Sequence, residues 1–444
     1  MLPTVFAAIV LCAQPGDHPE HAGESPAQAE TGGIQPLPDY SGDAAHRAFL
    51  AGDPGGRRSS LASAGLVLDL DALQTIQSVV RGGRRIDSDF GSSFNFTASA
   101  DLQRMGVMRG ALLRLRAESR TGESVNDDTG AILPVHTEGL FPLTDRANES
   151  IPFTITELTC TQFFSQSVGV FLGKLQTLDG DPNEFAGGRG RSQFMDAHFN
   201  LNAAGALTVP YSTLGGGVIV IPSPGVTLVT TLMNRLDSST TSGLENLGNG
   251  WTWATEADFQ YCLGSLPGGS NAGVGYSFAG DFADLGGTLR FVPGGVVLPR
   301  ESESWYLYAS TWQYLHTADA APAHINTVDG RADLRGIGLF ARVGYADPDT
   351  NPIHWTASVG IGARGMLFGR EEDTLGIGYV YGDLQDEPIF DVLQIKDTGQ
   401  AVEAFYSIAL TPAAAITLDA EWVDGGSRSI DAATVVGARL RVRF

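Results

Sequence analysis

The last ten residues, Val435 to Phe444, alternate strictly: every second residue is apolar and most of those between are arginine. Side chains of a strand point to opposite faces with period 2. Val436, Ala438, Leu440, Val442 and Phe444 therefore share one face, and Arg439, Arg441 and Arg443 share the other. Three arginines cannot line a dry core. A strand with one greasy side and one cationic side, ending on an aromatic residue, fits a wall between lipid and water better than a wall between core and water.

The same grammar recurs along the chain. Leu66, Leu68, Leu70 and Ala72 alternate with Val67, Asp69 and Asp71, and Phe94, Phe96 and Ala98 alternate with Asn95, Thr97 and Ser99. Leu113, Leu115 and Ala117 alternate with Arg114, Arg116 and Glu118; Met195, Ala197, Phe199 and Leu201 alternate with Asp196, His198 and Asn200. Trp253 to Leu263, Ile353 to Ile361 and Ala414 to Trp422 repeat the pattern, each read as a strand. Aromatic residues such as Trp355, Tyr379, Tyr381, Tyr406 and Trp422 gather near strand ends, where girdles at the two membrane interfaces belong. Gly/Asp/Asn/Pro clusters such as Asp347 to Pro352 and Asp424-Gly425-Gly426 separate the segments with turn chemistry.

These segments predict an all-β fold, a transmembrane antiparallel β-barrel. Dividing residues 61–444 among about 16 strands leaves roughly 24 residues per strand and connection, which suits tilted strands of ~10 residues joined by alternating short and long loops. An open sheet would expose two edges, and in lipid an unpaired backbone group costs several kcal/mol. The barrel must close, and at this strand number its interior is wide enough to hold water or an inserted loop. No window approaches the ~20 continuous apolar residues of a spanning helix. The formal charge of −22, with lysine only at positions 174 and 396, argues against a nucleic-acid partner, because phosphate binding needs basic surface.

Residues 61–444 form the expected barrel domain. Residues 30–60, rich in Pro, Gly, Ser and Asp, read as a flexible arm. Val5 to Ala13 is an apolar run of export-signal length, so residues 1–29 read as an export signal, with the small residues Ala27 and Ala29 before Glu30, although no Lys or Arg precedes the run. Of three cysteines, Cys160 and Cys262 fall in strand-like stretches, and a bridge between them would require adjacent strands.

Enzyme motifs do not survive inspection. Asp128-Thr129-Gly130 and Asp397-Thr398-Gly399 look like paired aspartic-protease loops, but their flanks lack the apolar strands that bury such loops, which favours turn chemistry. The histidines show no zinc spacing, and neither a Gly-x-Ser-x-Gly elbow nor a phosphate-binding loop is present. Asp179 to Glu184 could hold calcium, but Pro182 breaks the EF-hand pattern and a plain acidic loop is favoured. No cofactor or metal is expected.

Several local sequences, in their order, resemble the carbohydrate-selective porins of the OprB type. Asp101-Leu102-Gln103-Arg104-Met105-Gly106 with Gly110 looks like the lead-in to the family's third strand, Glu157-Leu158 with Gln162 its fourth, and Gly173-Lys174-Leu175 its fifth. Asn183-Glu184-Phe185-Ala186 and Gln193-Phe194-Met195 are similar to the stretch between the fifth and sixth strands, and Val209-Pro210 with Leu214-Gly215 to the connection that follows. Gly338 to Arg342, Gly369 to Gly376, Glu403 to Ile408 and Thr411-Pro412 resemble later strands and turns. The closing hairpin departs, reading Asp419-Ala420-Glu421-Trp422-Val423 where a proline-rich, glutamine-bearing strand is expected.

The resemblance implies a channel in the outer membrane of a Gram-negative-type bacterium, monomeric or trimeric. It further implies a loop folded inward to make a constriction of arginines and carboxylates. Such a channel gives passive, carbohydrate-preferring diffusion to small sugars and other hydrophilic solutes, without a catalytic step. Its lipid-facing C-terminal strand, ending in Phe444, would address the barrel-assembly machinery. A guanidinium presents fixed donors and a carboxylate presents acceptors, so facing rows of them can exchange hydrogen bonds with vicinal hydroxyls. The candidate pore-lining arginines are Arg114, Arg116, Arg439 and Arg441, with Arg342 behind them. Glu118, Asp196, Glu403 and Glu421 are the candidate acidic partners. A general or anion-leaning pore, and a barrel-borne enzyme or adhesin, are the competing readings.

Overall fold

In the computed structural model, residues 32–444 are described except 147, 179–182, 294, 320–333 and 385–386. The expected export signal lies outside the described residues, as do Asp179 to Pro182 of the acidic loop.

Sixteen strands close one antiparallel barrel. The first eight are β1 (Leu66–Arg81), β2 (Ser88–Asp101), β3 (Ala111–Gly122), β4 (Ile151–Phe163), β5 (Val168–Gln176), β6 (Ser212–Ser223), β7 (Val226–Asn234) and β8 (Trp251–Leu263). The second eight are β9 (Leu266–Phe278), β10 (Ser304–Thr317), β11 (Gly336–Ala346), β12 (Ile353–Arg364), β13 (Thr374–Leu384), β14 (Thr398–Thr411), β15 (Ala414–Val423) and β16 (Ala433–Arg443). Each strand pairs with its sequence neighbours, and β1 seals against β16 with Gln77 opposite Gly437 and Leu73 opposite Arg441. Two short hairpins, Phe282–Ala283 with Arg300–Glu301 and Arg290–Val292 with Gly295–Val297, decorate the connection between β9 and β10.

Period-2 alternation puts a continuous apolar skin outside. Ile76, Phe94, Phe96, Leu113, Leu172, Leu232, Val343, Val359, Ile377, Leu418 and Val436 are exposed, as a lipid-facing surface requires. The rings of Trp305 and Tyr345, and of Trp355 and Tyr381, meet at a tilt, forming part of an aromatic girdle towards one end. At the other end, turns of two residues join β6 to β7, β8 to β9 and β14 to β15. Short turns mark the periplasmic side of such barrels and long loops the external side. The described residues of 123–150 and 177–211, at the long-loop end, turn inward.

One expectation changes, and one open question closes. Met195 to Leu201 is not a strand: it lies in the inward loop, with a short helix at Ala197–Asn200, because both of its faces are buried inside the barrel and neither meets lipid. Cys160 and Cys262 do not pair: Cys160 is a free, exposed thiol on β4, and Cys262 stands on β8, with three strands between them. The described part of the arm, residues 32–60, is packed against the turn end. Tyr40, Phe49, Ala62 and Val67 form a small apolar cluster, and the Arg58 guanidinium lies 4.0 Å over the Tyr40 ring while donating to the Phe444 carbonyl at 3.1 Å. The Ile34 and Gln35 amides donate to the Asp101 carboxylate. Two aromatic residues and one arginine supply the contacts of this segment with the barrel.

Candidate functional site

The inward loop between β5 and β6 docks on a patch of the inner wall that carries almost no side chains. Gly338 of β11 pairs with Gly362 of β12, which pairs with Gly376 of β13, opposite Phe405 of β14. One row above, Phe340, Gly360, Gly378 and Glu403 stand side by side on the same strands. Into this recess the loop places Phe185, Phe194 and Phe199. Phe194 stacks on Phe199 at 4.7 Å and meets Phe405 edge-on at 4.9 Å. A Cβ at Gly338 would lie 2.3 Å from the Phe185 ring and one at Gly378 2.5 Å from the Phe199 ring, so close approach of the loop requires glycine there.

Polar anchors surround the aromatic contact. The Arg342 guanidinium of β11 donates to the carbonyls of Ala186 and Phe199. Arg439 of β16 donates to the carbonyls of Gly190 and, at 2.8 Å, Gln193. Glu403 accepts from the amides of Met195 at 2.6 Å and Asp196 at 3.0 Å. Asn183 Nδ2 donates to Ser310 Oγ, and the Tyr314 hydroxyl donates to Glu184 Oε1, so these last two residues of the acidic loop face the barrel wall. Residues 123–150 knit to the same loop: the Thr137 amide and hydroxyl both donate to the Met195 carbonyl.

A row of alternating charge links this assembly to the neighbouring wall strands β3, β1 and β16. Arg189 Nη2 lies 2.9 Å from Glu118 Oε1 and its Nε 3.0 Å from Glu138 Oε2. Glu138 also binds Arg191, which reaches Asp71 at 3.2 Å, and Asp71 in turn holds Arg441 at 2.8 Å. The Tyr211 hydroxyl donates to Glu118; burial pushes its phenol well above the ordinary value, so it stays a neutral donor. Side by side with this row, Glu157 of β4 faces Arg114 at 3.3 Å and Arg116 at 3.8 Å.

Burial grades along the row. The Arg189 and Glu118 side chains are 2% exposed, whereas Asp71 and Arg441 are 20% and 18% exposed and Arg114 is 29% exposed. Arg191, Gln193, Arg441 and Arg443 border a recess of 160 Å³ that also touches Glu184, Tyr314 and Arg364. Three guanidiniums and three carboxylates make the row neutral overall.

The sequence-derived candidates therefore divide. Arg114, Arg116, Glu118 and Arg441 lie on the inner wall within these charge contacts. Arg342, Arg439, Glu403 and Glu421 also face inward, as parity requires, but are buried beneath the loop and do not meet open water. Asp196 is not a wall residue: it caps the short loop helix by accepting from the His198 amide at 2.8 Å. Sequence reasoning missed Arg189, Arg191 and Glu138, and passed over Asp71 although its parity was right. The Gly187-Gly188-Arg189-Gly190-Arg191 run, basic residues spaced by glycine within a long connection, was the available signal.

Known proteins share this arrangement of strands. A family model described as the carbohydrate-selective porin, OprB family, matches residues 90–444. Porin B of Pseudomonas aeruginosa is 22% identical over 449 aligned residues, covering 91% of this chain and 94% of that protein. The high-pH structure of Pseudomonas putida OprB superposes with a TM-score of 0.76 at 19% identity, covering 91% of this chain and 100% of the other. The low-pH structure of the same protein gives 0.56 at 14% identity, covering 90% and 100%.

Proposed function

The chain belongs to the OprB family of carbohydrate-selective porins, and from that premise we propose that its inward loop and the Arg191–Asp71–Arg441 end of the charge row form the constriction at which sugars are preferred. The protein is an outer-membrane porin, a passive channel rather than an enzyme. Solutes cross it down their gradients and leave unchanged.

The observation that carries the constriction reading is the alternating row that passes from full burial at Arg189 and Glu118, through the part-exposed Asp71, to Arg191 and Arg441 at the border of the recess. The six groups of the row itself cancel, so the row adds no net charge of its own. It does offer fixed donors and acceptors at hydrogen-bonding spacing, so a sugar can exchange part of its water shell for guanidinium and carboxylate contacts. Those groups already satisfy one another, and each contact with a hydroxyl is made at the expense of one within the row. Binding stays weak for that reason, as conduction requires.

The C-terminal strand supports a further part of the reading. Val436, Ala438, Leu440, Val442 and Phe444 present the apolar face that the barrel-assembly machinery would engage before β16 seals against β1.

Liposome swelling with pentoses, hexoses and disaccharides, set against amino acids of matched size, tests the proposal. Sugars should enter faster than size alone predicts, and Asp71→Asn should reduce that advantage. Rates ordered by size alone, with Asp71→Asn unchanged, would reassign the protein as a general diffusion pore, and silent liposomes would remove the channel reading.

A further inference from the structure

We propose that the connection from β12 to β13, residues 365–373, is a membrane anchor whose tip enters the phospholipid of the periplasmic leaflet. It lies at the same end of the barrel as the two-residue turns. Met366, Leu367 and Phe368 at its tip are 38%, 44% and 81% exposed. Three consecutive exposed apolar residues are a liability on a connection that meets only water, and call for an apolar partner.

The backbone makes the phenylalanine harder still to explain in water. The Arg370 amide donates to the Leu367 carbonyl at 3.2 Å, and the two residues between, Phe368 and Gly369, have φ of 57° and 67°. That is the pattern of a type I′ turn, which favours Asn, Asp or Gly at its central positions. A bulky side chain at positive φ is a strained choice, and strain of this kind persists where a function uses it. Here the strained position carries the most exposed apolar side chain of the connection.

Contacts with β14 hold the connection against the outside of the wall. The β13–β14 ladder ends at Thr374 opposite Ser407. Two residues further along β14, the Ala409 amide donates to Asp373 Oδ1 at 2.9 Å and the Ala409 carbonyl accepts from Arg370 Nη2 at 2.7 Å. Asp373 also accepts from the Tyr406 hydroxyl at 2.7 Å and from Arg370 Nε at 2.6 Å. The Phe368 ring meets the Tyr406 ring edge-on at 5.8 Å. Tyr406 stands between the inward-facing Phe405 and Ser407, so parity puts it on the lipid face.

Depth singles out lipid as the occupant. Trp355, in the aromatic girdle, is followed nine residues later by Arg364 at the end of β12. At ~3.3 Å per residue and a tilt of about 40°, that span rises ~23 Å along the membrane normal, against an apolar band of about 25 Å. The connection therefore begins where acyl chains give way to headgroups. Ile361 and Ile377, 38% and 50% exposed on the outward faces of β12 and β13, join its apolar tip to the lipid-facing skin. An apolar side chain at that level meets acyl chain at the headgroup boundary.

The test adds one tryptophan, Phe368→Trp, to the full chain in phosphatidylcholine vesicles and reads the emission it adds over wild type. Phosphatidylcholine brominated near the headgroup, phosphatidylcholine brominated near the chain ends, and aqueous iodide are the quenchers. The added emission should be quenched about twofold more by the shallow bromines than by the deep ones, and little by iodide. Strong iodide quenching with no response to brominated lipid places the tip in water, and resistance to all three places it against a second copy of the chain. Either result overturns the proposal. Phe368→Asn supplies an independent readout, because asparagine suits the turn but gives up the apolar contact. Its folding equilibrium in vesicles, read by denaturant titration, should be about fivefold weaker than wild type. An unchanged or stronger equilibrium overturns the anchor, and it decides alone should Phe368→Trp fail to insert.

Discussion

Arg342→Ala separates a loop anchor from a solute-binding arginine. The guanidinium donates to the carbonyls of Ala186 and Phe199, which lie on either side of the loop's aromatic contact. A hydrogen bond to a charged group contributes ~1.5–3 kcal/mol. Losing two that share one side chain is not additive, so about 3 kcal/mol of docking energy is at stake. That corresponds to a rise of about 10²-fold in the population with the loop lifted from the wall, since ~1.4 kcal/mol is a factor of ten. Phe185, Phe194 and Phe199 still sit in the glycine recess, so the docked state stays dominant and the barrel inserts normally. In planar bilayers, Arg342→Ala should therefore show frequent upward excursions of single-channel current and a weaker preference for sugars. Arg342→Lys should restore part of the quiet trace, because an ammonium can hold one carbonyl while a guanidinium fork spans two. A quiet trace of wild-type amplitude in Arg342→Ala, with sugar flux alone reduced, would refute the anchoring argument and make Arg342 a solute contact.

Other perturbations test other parts of the construction. Leu440→Arg places charge on the lipid face of β16 and should destabilise insertion by a depth-dependent ~2–4 kcal/mol, whereas Arg441→Ala should insert normally and alter permeation; equal damage in a refolding titration would contradict the assigned facing. Gly378→Ala brings a methyl group to 2.5 Å from the Phe199 ring. Overpacking of this kind costs ~1–3 kcal/mol, so the variant should reproduce the noisy current of Arg342→Ala in an intact barrel, and an unchanged trace would show that the ring yields freely. His136, in the loop of residues 123–150, is held neutral by burial and by the nearby Arg439, Arg120 and Arg191, which bring its pKa down to about 3. An opened loop would instead bind a proton near pH ~6.5. The loop's stability is thus full above that value and falls as pH drops towards 3, by about 2 kcal/mol at pH 5. Intrinsic-rate-corrected hydrogen exchange across residues 123–150 should accelerate between pH 7 and 5, and His136→Asn should flatten the response.

The wall of this barrel was legible in the sequence because lipid and water impose a period of 2 on every strand, and Val436, Leu440, Arg439 and Arg441 obey it without exception. The lumen was much less legible. Parity assigns a residue to a face but says nothing of what covers it, which is why Arg439 and Glu403 face inward as expected and yet lie under the loop. Met195 to Leu201 shows the same limit from the other side. Its alternation arises because Phe199 packs against the wall while Asp196 and Asn200 make polar contacts within the loop, so two buried environments imitate the contrast between lipid and water. Arg189 and Arg191 were hidden for a different reason. Their carboxylate partners lie 71 and 120 residues away in sequence, and no local spacing encodes such pairs.

One luminal feature could nonetheless have been read in advance. An inner wall that faced only water would gain nothing from bare backbone, and glycine in a strand weakens it. Inward-facing glycines at matched heights on three consecutive strands, Gly338 with Gly362 and Gly376, and Gly360 with Gly378, therefore need a second reason, and close approach of another chain segment supplies it. The recess holds three phenylalanines from a loop roughly 150 residues earlier. Once parity has fixed the facing of the strands, a cluster of inward glycines is the imprint of the loop that rests there, and it locates the docking place of that loop before any side chain is placed.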